Sequence, residues 1–186
     1  NYNMSYTELA ANATKLSKPQ LQELQKGSVV EWMHESRSLC KQIYENTEIG
    51  DKLGYKYISL IEGPDSRGID VGVISKYPIV SEKLHLVDLT GIAKNTRGIL
   101  EVKIKVGNKS ITVFGNHWPS QNNPSTARME ASKILIEKAK ESDSNVIIAT
   151  GDFNTLETEI PNAINNLNNE FIDVHYQAKL RVFKNL

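Results

Sequence analysis

NVIIATGDFN (145–154) joins a short apolar run, Val146 to Ala149, to a Gly-Asp turn, and this segment decides how the rest of the chain is read. Four apolar residues bounded by polar ones suit a buried strand. A side chain at the carboxyl end of such a strand is held by the sheet yet faces solvent, which is where α/β folds place their ligands. Asp152 and Asn154 stand there two apart, so both can project toward one side of the turn, and Gly151 permits close backbone approach. A carboxylate beside a carboxamide suits a hard divalent cation and a phosphate: Asp152 is an anionic oxygen ligand, and Asn154 can donate its NH2 to a phosphate oxygen without adding repulsive charge. Gly-Asp after a strand is also an ordinary turn, the plainer reading of this segment taken alone.

Working outward, a helix of about sixteen residues precedes this strand, from a capping Ser125 to Glu141, with Met129, Leu135, Ile136 and Ala139 available for its buried side. Before it lies a hairpin. In ILEVKIKV (99–106), Leu100, Val102, Ile104 and Val106 alternate with Glu101, Lys103 and Lys105, the period of a half-buried strand. Gly107-Asn108 is a tight-turn dipeptide, and ITVFGNH (111–117) is the antiparallel partner. KYISLIE (56–62) and IDVGVIS (69–75), the latter ended by Pro78, read as further strands. Short antiparallel strands, one long helix and a central apolar strand predict a layered α/β sheet protein.

Residues 1–54 have a different texture. Leu9, Ala13, Leu16, Leu21, Leu24, Val30, Met33, Leu39 and Ile43 recur at helical spacing, with Pro19 and Gly27 as punctuation, which predicts two or three amphipathic helices. Beyond Asn154 the text turns Asn-rich, and FIDVHY (171–176) supports at most one more strand.

The chain has 186 residues, 39% of them hydrophobic, enough for one domain with a real core and without repeats or a linker that would divide it. Twenty-two basic residues offset 22 acidic ones, so no global positive field grips a polyanion, and any nucleic-acid site must be local. No apolar run approaches the length of a membrane span. Cys40 is alone, which excludes an internal disulfide framework and a cysteine-based zinc site. NYNMSYTELA shows no signal-peptide pattern, and a processed chain would look the same, so the compartment stays open between a secreted or periplasmic chain and a cytoplasmic one. A monomer is expected.

His117 ends its strand in FGNHWPS, and an exposed strand-end histidine is a candidate general acid or base, or equally a surface cap beside a packed Trp118-Pro119 corner. Arg67 and Arg97 each stand before a glycine and a strand. Arginine recognises phosphate bidentately and the glycine leaves room for substrate; a solvated turn charge is the plainer alternative. Asp70 begins its strand and is placed either to hold an imidazole in one tautomer or to discourage edge pairing.

Together SRGIDVGVISKYPIV (66–80), TRGILEVKIKV (96–106), TVFGNHWPS (112–120) and NVIIATGDFNT (145–155) resemble the endonuclease/exonuclease/phosphatase superfamily, to which deoxyribonuclease I belongs, and its nuclease-like bacterial members in particular. The resemblance covers roughly residues 55–155 of the single domain 1–186. It implies a four-layer α/β/β/α sandwich of two mainly antiparallel sheets, here incomplete at both ends, with a metal-assisted phosphoester hydrolysis site at one end of the sheets. By position Asp152 and Asn154 resemble the acid-amide pair that contacts cation and scissile phosphate, and His117 resembles one of the two histidines of the acid/base machinery. Asp70 falls where the family places a carboxylate that orients that histidine, and Arg97 where deoxyribonuclease I has a phosphate-contacting arginine. Asn3 and Glu23 resemble, more distantly, two further metal-site residues, although KPQLQELQ is too polar for a core strand. The family closes with an adjacent Asp-His pair; Asp173-Val174-His175 has an intervening residue, and the second histidine is not carried onto His175. The resemblance implies Mg2+, with Mn2+ or Ca2+ as alternatives, and a nucleic-acid substrate. Hydrolysis of a lipid or small-molecule phosphoester is the second reading, mildly favoured by the neutral charge, and a dead-site binding module the third.

Overall fold

The computed structural model describes residues 54–175 and 180–183. In chain order the elements are β1 (Tyr57–Leu60), β2 (Gly72–Ser75), β3 (Ile79–His85), β4 (Ile99–Val106), β5 (Lys109–His117), α1 (Ser125–Glu141), β6 (Val146–Asp152), α2 (Ala163–Asn168), β7 (Phe171–His175) and β8 (Leu180–Phe183). β1 and β2 pair antiparallel as one sheet; the other is six-stranded in the order β3-β4-β5-β6-β8-β7. All its pairings are antiparallel except β5 with β6, which run parallel through the α1 crossover. The helices expected within residues 1–54 lie outside the described residues, Gly54 apart.

The alternation in β4 has the consequence expected of it. Leu100, Val102 and Ile104 are buried in one cluster with Val71, Val73 and Val113, which fills the space between the two sheets. The opposite face of the large sheet carries Ile99, Phe114, Ile147 and Ala149 against Ala131, Leu135 and Ala139 of α1. Glu101 and Lys103 lie on that helical side and are paired, Glu101 with His85 Nε2 at 2.5 Å and Lys103 with Asp143 at 2.5 Å.

Four expectations need correction. KYISLIE and IDVGVIS form strands only over 57–60 and 72–75. β3 was not expected: as an edge strand with Val80 to Lys83 exposed it shows too little apolar alternation to be read. Ser125 does not cap α1; Pro124 holds the N-cap position, and the Ser125 hydroxyl instead donates to the Ile160 carbonyl at 2.7 Å. On the buried side of α1, Leu135 and Ala139 are buried and Ile136 packs half-buried against the core as expected, but Met129 is only half-buried and the polar Arg128 and Ser132 are buried in its stead.

Both loops at the functional end of the large sheet hang on Arg128. Its Nε donates to Glu159 Oε2 at 3.0 Å, its Nη2 donates to Glu159 Oε1, and its Nη1 donates to the carbonyls of Pro119, Ser120 and Asn123 at 3.2, 2.9 and 3.2 Å. The side chain is 2% exposed and Glu159 12%. A lysine has no planar fork to serve all these oxygens. Arg128→Lys is therefore expected to cost about 2 kcal/mol, a fall of roughly 4–8 °C in Tm for a domain of this size; a thermal melt unchanged within about 2 °C would refute the anchoring role.

Candidate active site

The parallel β5–β6 register sets Asn116 opposite Gly151 and His117 opposite Asp152, at the carboxyl ends of both strands. Adjacent strands are about 4.8 Å apart and register partners share a face, so the imidazole and the carboxylate leave the sheet side by side. Two groups far apart along the chain, at positions 117 and 152, thus reach one rim. The following residues, Trp118 and Phe153, turn to the other face, where both are buried and meet edge to face at 4.9 Å. Strand alternation explains the pattern: each polar residue is followed by an aromatic that pins it to the core.

The Trp118 peptide is the hub. Its N–H donates to the Asp152 carbonyl at 2.9 Å, and its carbonyl accepts Asn154 Nδ2 at 2.9 Å and Arg97 Nη2 at 3.2 Å. Its indole Nε1 donates to Asn116 Oδ1 at 2.9 Å. Asn154 has φ +49, a left-handed backbone that asparagine tolerates, and its N–H donates to Asp152 Oδ1 at 3.0 Å, closing an Asx turn. The carboxylate and the carboxamide expected at the end of β6 are therefore held in fixed relation to each other and to β5.

Arg97 is buried, 5% exposed, and its guanidinium is committed to protein oxygens: Nε to the His117 carbonyl at 3.2 Å, Nη2 to Trp118, and Nη1 to Asp65 Oδ2 at 2.8 Å. It is placed as a clamp on the main chain that carries His117. Arg67, with a side chain 55% exposed, is the guanidinium of the pair that faces solvent. Both converge on Asp65, which the sequence reading did not single out. Its Oδ1 accepts the Arg67 N–H at 2.9 Å and Nε at 3.1 Å, and its Oδ2 accepts Arg67 Nη2 at 2.9 Å. Burial alone would raise this carboxyl, but the Arg67 side-chain and backbone hydrogen bonds and the Arg97 hydrogen bond outweigh it and hold the pKa at about 2. The signal was present: Asp65-Ser66-Arg67-Gly68 has Asp first and Gly last, the signature of a turn with Asx bonding, and the Gly68 N–H does donate to the Asp65 carbonyl at 2.9 Å.

Asp70 lies just before β2, and its Oδ1 accepts the Gly63 N–H at 2.8 Å. The charges that weigh most on the His117 ring are those of Arg97, Asp152, Arg67 and Asp65. Partial burial lowers its pKa below 6.5, Arg97 and Arg67 lower it further, and Asp152 and Asp65 oppose them. The ring is consequently neutral at pH 7 and free to accept a proton.

Among the described residues no group of three or more His, Cys, Asp or Glu side chains could by itself hold a metal ion. Asp152 supplies one carboxylate, and Asn3 and Glu23 lie outside the described residues. One carboxylate with neutral oxygens is nonetheless a donor set that Mg2+ accepts when water and substrate phosphate complete its shell. The side chain of His175, at the end of β7, is likewise not described.

A two-sheet α/β fold with a polar rim at the carboxyl ends of parallel β5 and β6 defines a class, and the comparisons agree with it. The sequence matches the Endonuclease/Exonuclease/phosphatase family over residues 2–169, and the chain belongs to that family, whose members are metal-dependent phosphoester hydrolases. The fold is similar to the β-hairpin deletion mutant of beta toxin from Staphylococcus aureus, at TM-score 0.56 and 17% identity, covering 82% of this chain and 80% of that one. It is also similar to the F277A, P278A mutant of the same toxin with bound magnesium ions, at TM-score 0.55 and 21% identity, covering 75% of this chain. The chain spans 54% of that longer protein. SmcL is a further structural neighbour, at TM-score 0.52 and 20% identity over 74% of this chain and 52% of that one. No curated protein is significantly similar in sequence. The deoxyribonuclease I-like fold expected from the four motif segments is thereby borne out.

Proposed function

We propose that this protein is a divalent-cation-dependent phosphodiesterase that hydrolyses nucleic acid, with His117 as its proton acceptor. The observation that carries this reading is the pairing of His117 with Asp152 across parallel β5 and β6. A neutral imidazole there takes the proton of a water as its oxygen attacks phosphorus; the P–O ester bond breaks, and the leaving oxygen is protonated from solvent. Asp70 is the carboxylate we assign to orienting the imidazole. Asn154, with one amide proton held by the Trp118 carbonyl, offers the other to a phosphate oxygen, and Arg67 offers its exposed guanidinium to the same phosphate. Arg97, its guanidinium committed to protein oxygens, serves the phosphate only indirectly, by positioning the His117-Trp118 main chain. Asp152 would hold the divalent ion, with Glu23 and Asn3 as further ligands; bound there, the cation neutralises charge building on the phosphate oxygens. The magnesium-bearing beta toxin of the same fold supports this cation assignment.

One observation favours a lipid phosphodiester instead. Leu156 and Ile160, on the loop that follows Asn154, are 51% and 90% exposed, so an aliphatic tip flanks the rim of a chain with no net charge. An exposed aliphatic loop tip of this kind suits contact with a lipid surface, and no helix among the described residues is long and apolar enough to cross a membrane.

Supercoiled plasmid and sphingomyelin vesicles, each with Mg2+, separate the two. Nicking of plasmid, abolished by chelator, is expected; vesicle cleavage with plasmid untouched would replace the nuclease reading, and plasmid nicking indifferent to chelator would remove the metal-assisted mechanism.

A further inference from the structure

Asp65 is 6% exposed, ionised far below neutrality, and takes no part in the chemistry proposed for the rim. A buried carboxylate is costly unless it is paired, and Asp65 is paired four ways, with the Arg67 N–H, Nε and Nη2 and with Arg97 Nη1. Arg97 in turn reaches the carbonyls of His117 and Trp118, and the second of these carbonyls also receives Asn154 Nδ2. An unbroken chain of hydrogen bonds thus runs from the turn at 65–68 to both halves of the catalytic rim. We propose that Asp65 is a positioning residue of this site, acting through Arg97 to fix the His117-Trp118 main chain against the Asp152–Asn154 turn.

The physical reason is directional. Arg97 is nearly inaccessible to water, so without an anion behind it the guanidinium is an uncompensated buried charge and is driven to seek solvent. Asp65 removes that drive and also fixes which guanidinium nitrogens point toward β5. The two arginines are divided by the same carboxylate: one is turned inward onto the backbone, the other left at the surface.

The catalytic half of this inference rests on the hydrolase reading; the main-chain half does not, and the test keeps them apart. With bis(4-nitrophenyl) phosphate and saturating Mg2+, Asp65→Asn is expected to lower kcat about 10- to 100-fold with KM changed by less than about threefold. Arg97→Met should do the same, and the double variant should lose no more than Arg97→Met alone, because both changes break one chain. Losses that multiply, or a raised KM with kcat intact, would overturn the assignment. Asp65→Glu keeps the charge but lengthens the arm, so it too should lose kcat while staying folded; wild-type turnover would show that the geometry is not needed. Independently of any activity, amide hydrogen exchange at Trp118, whose N–H is bonded to the Asp152 carbonyl, should quicken in Asp65→Asn and in Arg97→Met. If the wild type hydrolyses no phosphodiester but this exchange quickens, the hydrolase reading fails and the positioning chain stands. Unchanged exchange at Trp118 in a folded Asp65→Asn protein would sink the chain itself.

Discussion

His117→Ala is expected to lower turnover of a phosphodiester by about 10²- to 10⁴-fold, the usual contribution of a positioned acid–base group, while the protein keeps its fold. The retained fold follows from where the side chain sits: His117 is half-buried at a strand end, and its main chain, not its ring, carries the Arg97 contact. Circular dichroism and Tm should therefore match the wild type. The pH dependence carries the sign of the same environment. Burial and the neighbouring arginines hold the ring below 6.5, so the basic form persists into mildly acid solution and kcat/KM should fall only as pH drops through that lowered value. Arg67→Ala removes one of the cations that depress it, and the acid limb should then move upward toward 6.5. An acid limb at or above 6.5 in the wild type, or a His117→Ala enzyme with undiminished turnover, would remove His117 from the reaction.

How far such a site can be read without coordinates depends on whether a residue acts through its position on an element or through a distant partner. β4 and β5 were legible because Leu100, Val102 and Ile104 alternate strictly and Gly107-Asn108 closes the hairpin; the sheet-to-sheet core follows directly. His117 and Asp152 were legible as strand ends, but their adjacency depends on the parallel β5–β6 register, which no local pattern states. Arg97 illustrates the opposite case. As an Arg-Gly pair it reads as a phosphate contact, yet its three partners lie 20, 21 and 32 positions away and turn it inward. Asp65 and Arg128 escape for the same reason: a charged residue in a turn or on a helix reads as solvated until the oxygens and nitrogens that bury it are known. β3 fails differently, since an edge strand whose residues Val80 to Lys83 are exposed on both faces needs no apolar alternation there.

Gly151→Ala should be the most damaging single change to the fold in this region. At φ +125 the backbone is one that side chains rarely adopt, and an added Cβ would lie 2.0 Å from the Asn116 carbonyl oxygen and 2.9 Å from Asn116 C and N. Asn116 cannot yield. It is 3% exposed, its Nδ2 donates to the carbonyls of Phe114 and Thr150 at 2.8 and 3.3 Å, and its Oδ1 holds the Trp118 indole. Overpacking of about 1–3 kcal/mol then adds to backbone strain of about 1–3 kcal/mol, for an expected loss of roughly 4 kcal/mol, a large part of the stability of a typical domain. Gly107→Ala is the matched control: φ is again positive, at +62, but nothing lies within 4 Å of the added carbon, so about 1 kcal/mol is expected from the conformation alone. Urea midpoints of the two variants separate close approach from backbone preference, and equal losses would show that Gly151 serves only its φ. Because the clash falls on the peptide that precedes His117, any Gly151→Ala molecules that remain folded should also have lost turnover: relief requires β5 to move away from β6, and that movement parts the imidazole from the carboxylate.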